Sequence, residues 1–197
     1  MLSKVSAEVL KLLSKPPQFA IPELVDVPFD KSHPQKRPVK YTGQLPEVGG
    51  IYAFWLDNQD QIAASLRRKL HLKGPAGQKK VWIETCWHLP EKQPPYILLY
   101  VGKSTNLKNR FGLHLKLQTE KWQYPTNGSL YKPTTSCQLR SGIEHLISQQ
   151  PNLHFFPFIK ERLRYSYVRV DRFEDRFYAE DAAIGLGRPW FNLDSER

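Results

Sequence analysis

Apolar side chains recur at helical spacing near the start of the chain. Val5, Val9, Leu12 and Leu13 would lie along one side of a helix over residues 3–14. Two consecutive prolines follow directly, and proline cannot continue a helix because its ring removes the backbone donor. The pattern therefore predicts an amphipathic N-terminal helix that ends just before them.

A proline-rich segment follows this helix. Seven prolines lie within residues 15–47, and such a stretch can form neither a central strand nor a long helix. We expect an extended arm that lies over the core or over a partner. The helix and arm, residues 1–47, are thus distinguished from one folded domain predicted over residues 48–197.

Three short runs in that domain predict strands. Residues 50–56 form an aromatic run after two glycines, residues 96–102 form an apolar run introduced by two prolines, and residues 165–170 alternate like a half-buried strand. Four helices are predicted in the same domain. The first covers the basic segment 61–72, and the second runs from a cap at Ser104 or Thr105 to about residue 118. The third covers 141–149, and the fourth runs from Asp171 to the glycines and proline of 185–189. Residues 73–80 are predicted to be a loop. Strands and helices mix without regular alternation, so the pattern predicts an α+β fold with a small sheet.

Composition and charge narrow the possible partners. Lys and Arg number 29 against 19 Asp and Glu, which gives a formal charge of +10 and a pI near 9.6. Such a balance is typical of proteins that bind a polyanion, nucleic acid first and an acidic membrane surface second. No apolar run approaches the ~18 residues of a membrane span, and the N-terminus has no signal-peptide core, so we expect a cytoplasmic protein without a membrane segment. The two cysteines form no CxxC pair, which disfavours a disulfide scaffold and a structural zinc site.

Two of the predicted strands carry the most informative residues. Gly50-Ile51-Tyr52 opens one strand, and Tyr100-Val101-Gly102 ends the other and is followed by Lys103. Arg110 and His114 come next, four residues apart on a predicted helix, so they share one helical face. In sequence order, two tyrosines and a lysine thus lie on or next to two predicted strands, and an arginine and a histidine lie on the helix that follows the second strand.

Glu180, in the last predicted helix, and Asn192, beyond its end, complete this ordered set. With them the chain resembles the GIY-YIG nuclease family over residues 49–192, and the Arg-x3-His and Glu-x11-Asn spacings resemble its type II restriction branch. The resemblance implies a small three-stranded antiparallel sheet flanked by helices. The second motif departs from the family in reading Tyr-Val-Gly, and the long connection between the tyrosines implies an insertion over 57–95. A further insertion, over 119–160, has no counterpart in the family core.

The resemblance implies a nuclease that hydrolyses DNA phosphodiester bonds. Glu180 would bind one divalent ion, Mg²⁺ or Mn²⁺, and such an ion accepts a single carboxylate because it keeps several waters. Arg110 would hold the non-bridging phosphate oxygens with its planar guanidinium. Tyr100 would hydrogen-bond the phosphate, and Asn192 would tie the C-terminal turn to the site.

Tyr52 would position the attacking water or help to deprotonate it. A free tyrosine has a pKa near ~10, so this role needs cationic neighbours, for which Lys103 and His114 are the candidates. His114, with an unperturbed pKa near ~6.5, could relay the proton. Taken singly, each residue also has an ordinary structural explanation; Glu180, for example, could pair with Arg176 four residues earlier.

A restriction enzyme with one site per chain implies a homodimer on palindromic double-stranded DNA, and a cognate DNA methyltransferase encoded nearby. Two alternatives remain open: a structure-specific or RNA-directed nuclease, and a catalytically inactive nucleic-acid-binding module. The basic residues available to contact DNA are Arg67, Arg68, Lys79 and Arg140.

Overall fold

The computed structural model describes residues 2–14, 17–24, 45–60, 69–72, 81–84, 94–115, 137–148 and 155–192. Along these residues the chain forms α1 (Leu2–Ser14), β1 (Phe19–Ala20), α2 (Ile21–Leu24), β2 (Gly50–Asp57), β3 (Lys69–Leu72), β4 (Val81–Glu84), β5 (Tyr96–Ser104), α3 (Leu107–Leu115), α4 (Gln138–Ser148), α5 (Phe155–Arg162), β6 (Leu163–Arg169) and α6 (Phe173–Gly187). The fold is α+β, with a small antiparallel sheet flanked by helices. No helix among the described residues is long and apolar enough to cross a membrane.

The main sheet has four strands in the order β1-β6-β2-β5, and every neighbouring pair is antiparallel. The sequence predicted three strands, and the fourth, which was not predicted, is the short edge strand β1. Phe19 and Ala20, from the proline-rich arm, pair with Tyr165 and Arg164 on the open edge of β6. A proline-rich chain can pair at an edge because only one side of the strand needs hydrogen bonds there.

One face of the sheet packs on α1 and α6. Val9 and Leu12 of α1, and Ala179 and Ala183 of α6, are buried against the β2, β5 and β6 side chains on this face. These positions confirm the amphipathic N-terminal helix. The small alanines let α6 approach the sheet closely, which brings the following residues of α6 to the edge strand β5.

The other face packs on α3, α4 and α5. Phe111 of α3, Ile143 of α4 and Ile159 of α5 are buried against Tyr52 and Phe54 of β2. Helix α4 and most of α5 fall within the segment expected to be a second insertion, yet they supply side chains to the main core. Helix α5 was not predicted at all, and α4 begins three residues earlier than predicted.

A bulge in β5 determines which side chains share a face. Phe54 pairs with Tyr100 and Trp55 with Leu98, so Leu99 is an extra residue in β5. Leu99 and Tyr100 consequently face the same side, and Val101 faces the opposite side. Tyr100 lies two residues before Gly102, the cross-strand partner of Tyr52, so alternation directs it to the side occupied by Tyr52, and the bulge adds Leu99 to that side.

The first insertion leaves the sheet and returns to it at one point. The Asn58 N–H donates to the Pro95 carbonyl at 2.8 Å, and its side-chain amide donates to the Pro94 carbonyl at 3.2 Å. Within the insertion, β3 pairs with β4 as a separate two-stranded sheet. The helix predicted over 61–72 is therefore wrong for residues 69–72, where pairing with β4 satisfies the backbone; residues 61–68 and the predicted loop 73–80 lie outside the described residues.

The end of β5 leads directly into α3. The Asn106 side chain accepts the Asn109 N–H at 2.9 Å, so Asn106 caps the helix rather than Ser104 or Thr105. The Ser104 hydroxyl accepts the Asn106 N–H at 3.0 Å and fixes the turn that precedes the cap. This turn orients α3 so that its buried face lies over β2.

Candidate functional site

The Tyr52 hydroxyl lies between two side chains of α3. Arg110 Nε donates to it at 3.2 Å, and His114 Nε2 lies 2.6 Å from it. Arg110 and His114 share one face of α3, as their spacing predicts, and that face covers β2. Tyr52 is only 1% exposed, so its hydroxyl depends on these neighbours for hydrogen bonds.

The absence of a side chain at Gly102 makes room for Tyr52. Gly102 pairs with Tyr52 across the β2–β5 ladder, and a Cβ atom on Gly102 would lie 2.5 Å from Tyr52 Cζ. The tyrosine ring therefore lies across the backbone of β5. Tyr100 completes this cluster, with its ring centroid 6.3 Å from that of Tyr52 and 5.4 Å from that of His114.

Lys103 and Glu180 form the other part of the site. The Lys103 N–H donates to Glu180 Oε1 at 3.1 Å, and the Lys103 ammonium pairs with Glu180 Oε2. The ammonium also lies 4.0 Å from the centre of the Phe177 ring. Lys103 pairs in register with Ile51, which faces α6, so the ammonium meets Glu180 and is no cationic neighbour of Tyr52.

Arg176 and Asn192 both hydrogen-bond backbone groups. Arg176 is buried and donates to the carbonyls of Val170 and Asp171, both at 3.0 Å, whereas the Glu180 carboxylate binds Lys103. Asn192 hydrogen-bonds both backbone groups of Val101 in β5. This double contact confirms that Asn192 ties the C-terminal turn to the strand that carries the site.

Burial controls the charge state of the two tyrosines. Desolvation raises the pKa of Tyr52 well above its ordinary value, the neighbouring Tyr100 raises it further, and Arg110 opposes this only in part. Desolvation likewise raises the pKa of Tyr100 to about 12, against the opposing effect of Arg110. The Coulombic interaction with Glu180 also raises the pKa of Tyr100, so groups from both parts of the site affect this tyrosine. Both phenols are protonated at neutral pH, and the expected activation of Tyr52 by cations is outweighed by burial.

His114 is neutral in this environment. Desolvation, with smaller contributions in the same direction from the charges of Arg110 and Arg140, lowers its pKa to about 3. The expectation of a cationic His114 beside Tyr52 is therefore wrong for the protein alone. Its ring carries a single proton, and its Nδ1 lies 3.3 Å from the Cys137 Sγ at the start of α4.

The sequence did not point to Cys137 as part of the site. It lies 23 positions from His114, and only the packing of α4 beside α3 brings the two together. Among the residues expected to contact DNA, Arg140 lies on α4 near His114. The other three, Arg67, Arg68 and Lys79, lie outside the described residues.

The donor atoms suit a divalent ion held by one carboxylate. The described residues contain no group of three or more His, Cys, Asp or Glu side chains that could hold a metal ion. Glu180, however, already attracts a cation, the Lys103 ammonium, to its Oε2. Mg²⁺ needs only one or two protein carboxylates because water and phosphate oxygens complete its octahedron. The site therefore fits such an ion once the ammonium is displaced.

The seven residues singled out in the sequence thus meet at the end of β5. Tyr52, Tyr100, Arg110 and His114 lie on its α3 side, Lys103 and Glu180 lie on its α6 side, and Asn192 holds its backbone. Comparisons of the chain with family models, curated proteins and solved structures gave no match. The geometry of the site is therefore the basis for a functional proposal.

Proposed function

We propose that this chain is a divalent-metal-dependent endonuclease of the GIY-YIG type that hydrolyses phosphodiester bonds of double-stranded DNA. The observation that carries the proposal is the Tyr52 hydroxyl, placed between Arg110 and His114 beside β5, whose opposite side is contacted by Glu180 of α6. The net charge of +10 supports a polyanionic substrate. The resemblance in the order of the residues supports the family.

Arg110 is the residue best placed to receive a phosphate. It is exposed on α3 while its Nε holds the Tyr52 hydroxyl. A guanidinium offers five N–H donors in a fixed plane, so it can hold Tyr52 and the non-bridging oxygens of a phosphodiester together. The developing charge of the pentacovalent phosphorus would meet a positive group that is already oriented.

Proton transfer would run from water through Tyr52 to His114. As water attacks phosphorus, its proton passes to the Tyr52 oxygen, and the Tyr52 proton passes to His114 Nε2 at 2.6 Å. A neutral His114 can accept this proton, whereas an imidazolium could not. The negative charge of the bound phosphodiester would offset Arg110 and Arg140, the charges that lower the pKa of His114.

Glu180 would hold Mg²⁺ or Mn²⁺. When bound, the ion polarises a phosphoryl oxygen and stabilises the leaving oxygen. Lys103 would then exchange its carboxylate partner for a phosphate oxygen, with its ammonium still supported by the Phe177 ring. In the free protein the ion pair and the Lys103 N–H hold the Glu180 carboxylate in place.

The preferred form of the proposal is a type II restriction-like enzyme. One such site per chain cuts one strand, so a homodimer would cut both strands of a palindrome, and a cognate methyltransferase encoded nearby would protect the host DNA. Structure-specific or RNA-directed cleavage is the alternative within the same chemistry. Binding without cleavage would indicate an inactive nucleic-acid-binding module.

The test is cleavage of plasmid and phage DNA with Mg²⁺ or with EDTA, using Glu180→Gln and Glu174→Gln. Both glutamates lie on α6, but the Glu174 side chain is 63% exposed and pairs with the neighbouring Arg172. We expect discrete fragments from the unaltered protein and from Glu174→Gln, and none from Glu180→Gln or in EDTA.

Other outcomes separate the alternatives. Cleavage of branched DNA or RNA, but not of intact duplex, would replace the restriction-like form with the second form. Tight binding without cleavage of any substrate would overturn the enzymatic proposal. Cleavage that survives Glu180→Gln would remove Glu180 from the metal site.

A further inference from the structure

The hydrogen bonds of the Tyr52 hydroxyl determine which ring nitrogen of His114 carries its proton. Within the described ranges this hydroxyl has two hydrogen-bond partners, Arg110 and His114. Arg110 can only donate, so the hydroxyl hydrogen of Tyr52 has His114 Nε2 as its acceptor. If Nε2 carried the proton instead, a hydroxyl hydrogen that is almost fully buried would have no acceptor, which is unfavourable.

The proton of the neutral His114 ring therefore lies on Nδ1. That nitrogen lies 3.3 Å from Cys137 Sγ, which is within hydrogen-bond distance for sulfur. Cys137 is half-buried, and its own carbonyl accepts the Ser141 N–H at 2.8 Å in the first turn of α4. The helix thus fixes the backbone that carries the sulfur, and the sulfur lies against the ring.

We propose that Cys137 is a positioning residue, whose sulfur accepts the Nδ1–H of His114 and keeps Nε2 unprotonated toward Tyr52. The proposal rests on the proposed function, because a proton acceptor at Nε2 matters for catalysis only if Tyr52 handles the proton of the attacking water. The partner of one imidazole nitrogen sets the protonation of the other. A sulfur atom is a weak, uncharged acceptor, so it selects the tautomer without adding a negative charge that would hold a second proton on the ring.

The tautomer can be measured without any nuclease assay. Long-range ¹H–¹⁵N correlation spectra of the full-length protein distinguish Nδ1–H from Nε2–H imidazoles, and His114→Gln identifies the His114 signals by their loss. We expect the Nδ1–H form in the unaltered protein and in Cys137→Ser, whose hydroxyl oxygen can also accept. In Cys137→Ala we expect a substantial population of the Nε2–H form. An Nε2–H form in the unaltered protein, or an unchanged tautomer in Cys137→Ala, would overturn the proposal.

A kinetic experiment tests the consequence for the reaction. Cys137→Ala should lower kcat by at least about tenfold, out of the ~10²–10⁴ that a positioned acid–base group contributes, and leave KM for DNA unchanged. Cys137→Ser should restore most of kcat, and thermal unfolding should show that both variants are folded. A changed tautomer with an unchanged kcat would refute the catalytic role of the contact. Absence of cleavage by the unaltered protein would count against the proposed function alone, and the spectra would then decide the tautomer assignment.

Discussion

Gly102 and Tyr52 are paired across two strands so closely that neither could be enlarged. A Cβ atom at position 102 would lie 2.5 Å from Tyr52 Cζ and 3.0 Å from Tyr100 Cε1. These rings belong to a packed aromatic cluster with His114, so they have little room to shift. Gly102, the glycine of the Tyr100-Val101-Gly102 motif, therefore has a steric role: its lack of a side chain leaves room for Tyr52.

We predict that Gly102→Ala displaces Tyr52 from its position between Arg110 and His114. Overpacking of this kind lowers stability by about 1–3 kcal/mol. Activity should fall further than stability, because the Tyr52 hydroxyl loses its alignment. Urea unfolding and DNA cleavage, measured on the same preparation, check the two parts of the prediction.

Gly185→Ala is the matched control, since no atom lies within 4 Å of a Cβ at that position of α6. Alanine in place of glycine within a helix is favourable by roughly 0.5–1 kcal/mol, so this variant should be as stable as the unaltered protein or more so. Equal activity of the two glycine variants would contradict the steric role of Gly102.

Removing the Asn192 side chain should loosen the edge strand. Asn192 Oδ1 accepts the Val101 N–H at 2.7 Å, and Asn192 Nδ2 donates to the Val101 carbonyl at 2.8 Å. Asn192→Ala leaves both groups of a buried strand residue without this partner, which should lower stability by about 1–3 kcal/mol. Hydrogen exchange at the Val101 amide should accelerate. Exchange at the unaltered rate would show that water replaces the side chain fully.

Replacing Tyr165 with phenylalanine should stabilise the protein. The Tyr165 hydroxyl is buried and has no hydrogen-bond partner in the part of the chain that the structure describes. An unpaired buried hydroxyl costs about 1–3 kcal/mol, so Tyr165→Phe should increase the free energy of unfolding by an amount up to that range.

Tyr52→Phe provides the comparison, since the Tyr52 and Tyr165 rings are stacked with their centroids 6.0 Å apart. The Tyr52 hydroxyl is hydrogen-bonded, so its removal should lower stability or leave it unchanged. If both variants change stability in the same direction and by the same amount, hydrogen bonding does not distinguish the two hydroxyls.

His114 should make the protein less stable in mild acid. Its pKa is lowered to about 3 in the folded chain, against 6.5 for the unperturbed group. Below pH 6.5 the unfolded chain therefore binds a proton that the folded chain does not. This stabilising contribution is complete above pH 6.5 and is lost as pH falls toward 3. It should amount to a loss of about 2 kcal/mol between pH 7.5 and pH 5.

The measurement is urea unfolding of the unaltered protein and of His114→Gln at both pH values. The acid-induced loss of stability should be smaller in His114→Gln by the His114 contribution, since the other titratable groups are common to both proteins. An identical loss in the two proteins would show that the imidazole titrates with an ordinary pKa.

The sequence was sufficient to predict those helices and strands that the hydrophobic pattern of their own residues defines. The aromatic run of β2 is buried on both faces and the apolar side of α1 on one, and both elements were predicted closely. The two-residue strand at Phe19 has no such pattern, because it forms only where the edge of β6 is open. Residues 69–72 were predicted to be helical from their composition, and pairing with β4 determines the strand.

The site residues were predictable in identity but not in their pairing. The register of β5 pairs Gly102 with Tyr52 and Lys103 with Ile51, and the sequence does not reveal this register. Lys103 was expected beside Tyr52, and it lies on the opposite face, beside Glu180. Cys137 could not be found, because its contact with His114 depends on how α4 packs against α3.

Asn58 joins the two ends of the long segment between β2 and β5. Its contacts with the carbonyls of Pro94 and Pro95 close a stem at the end of the sheet away from Gly102. Because the stem is closed, the length and composition of the segment between its ends can change over evolution without moving the strands that carry the tyrosines.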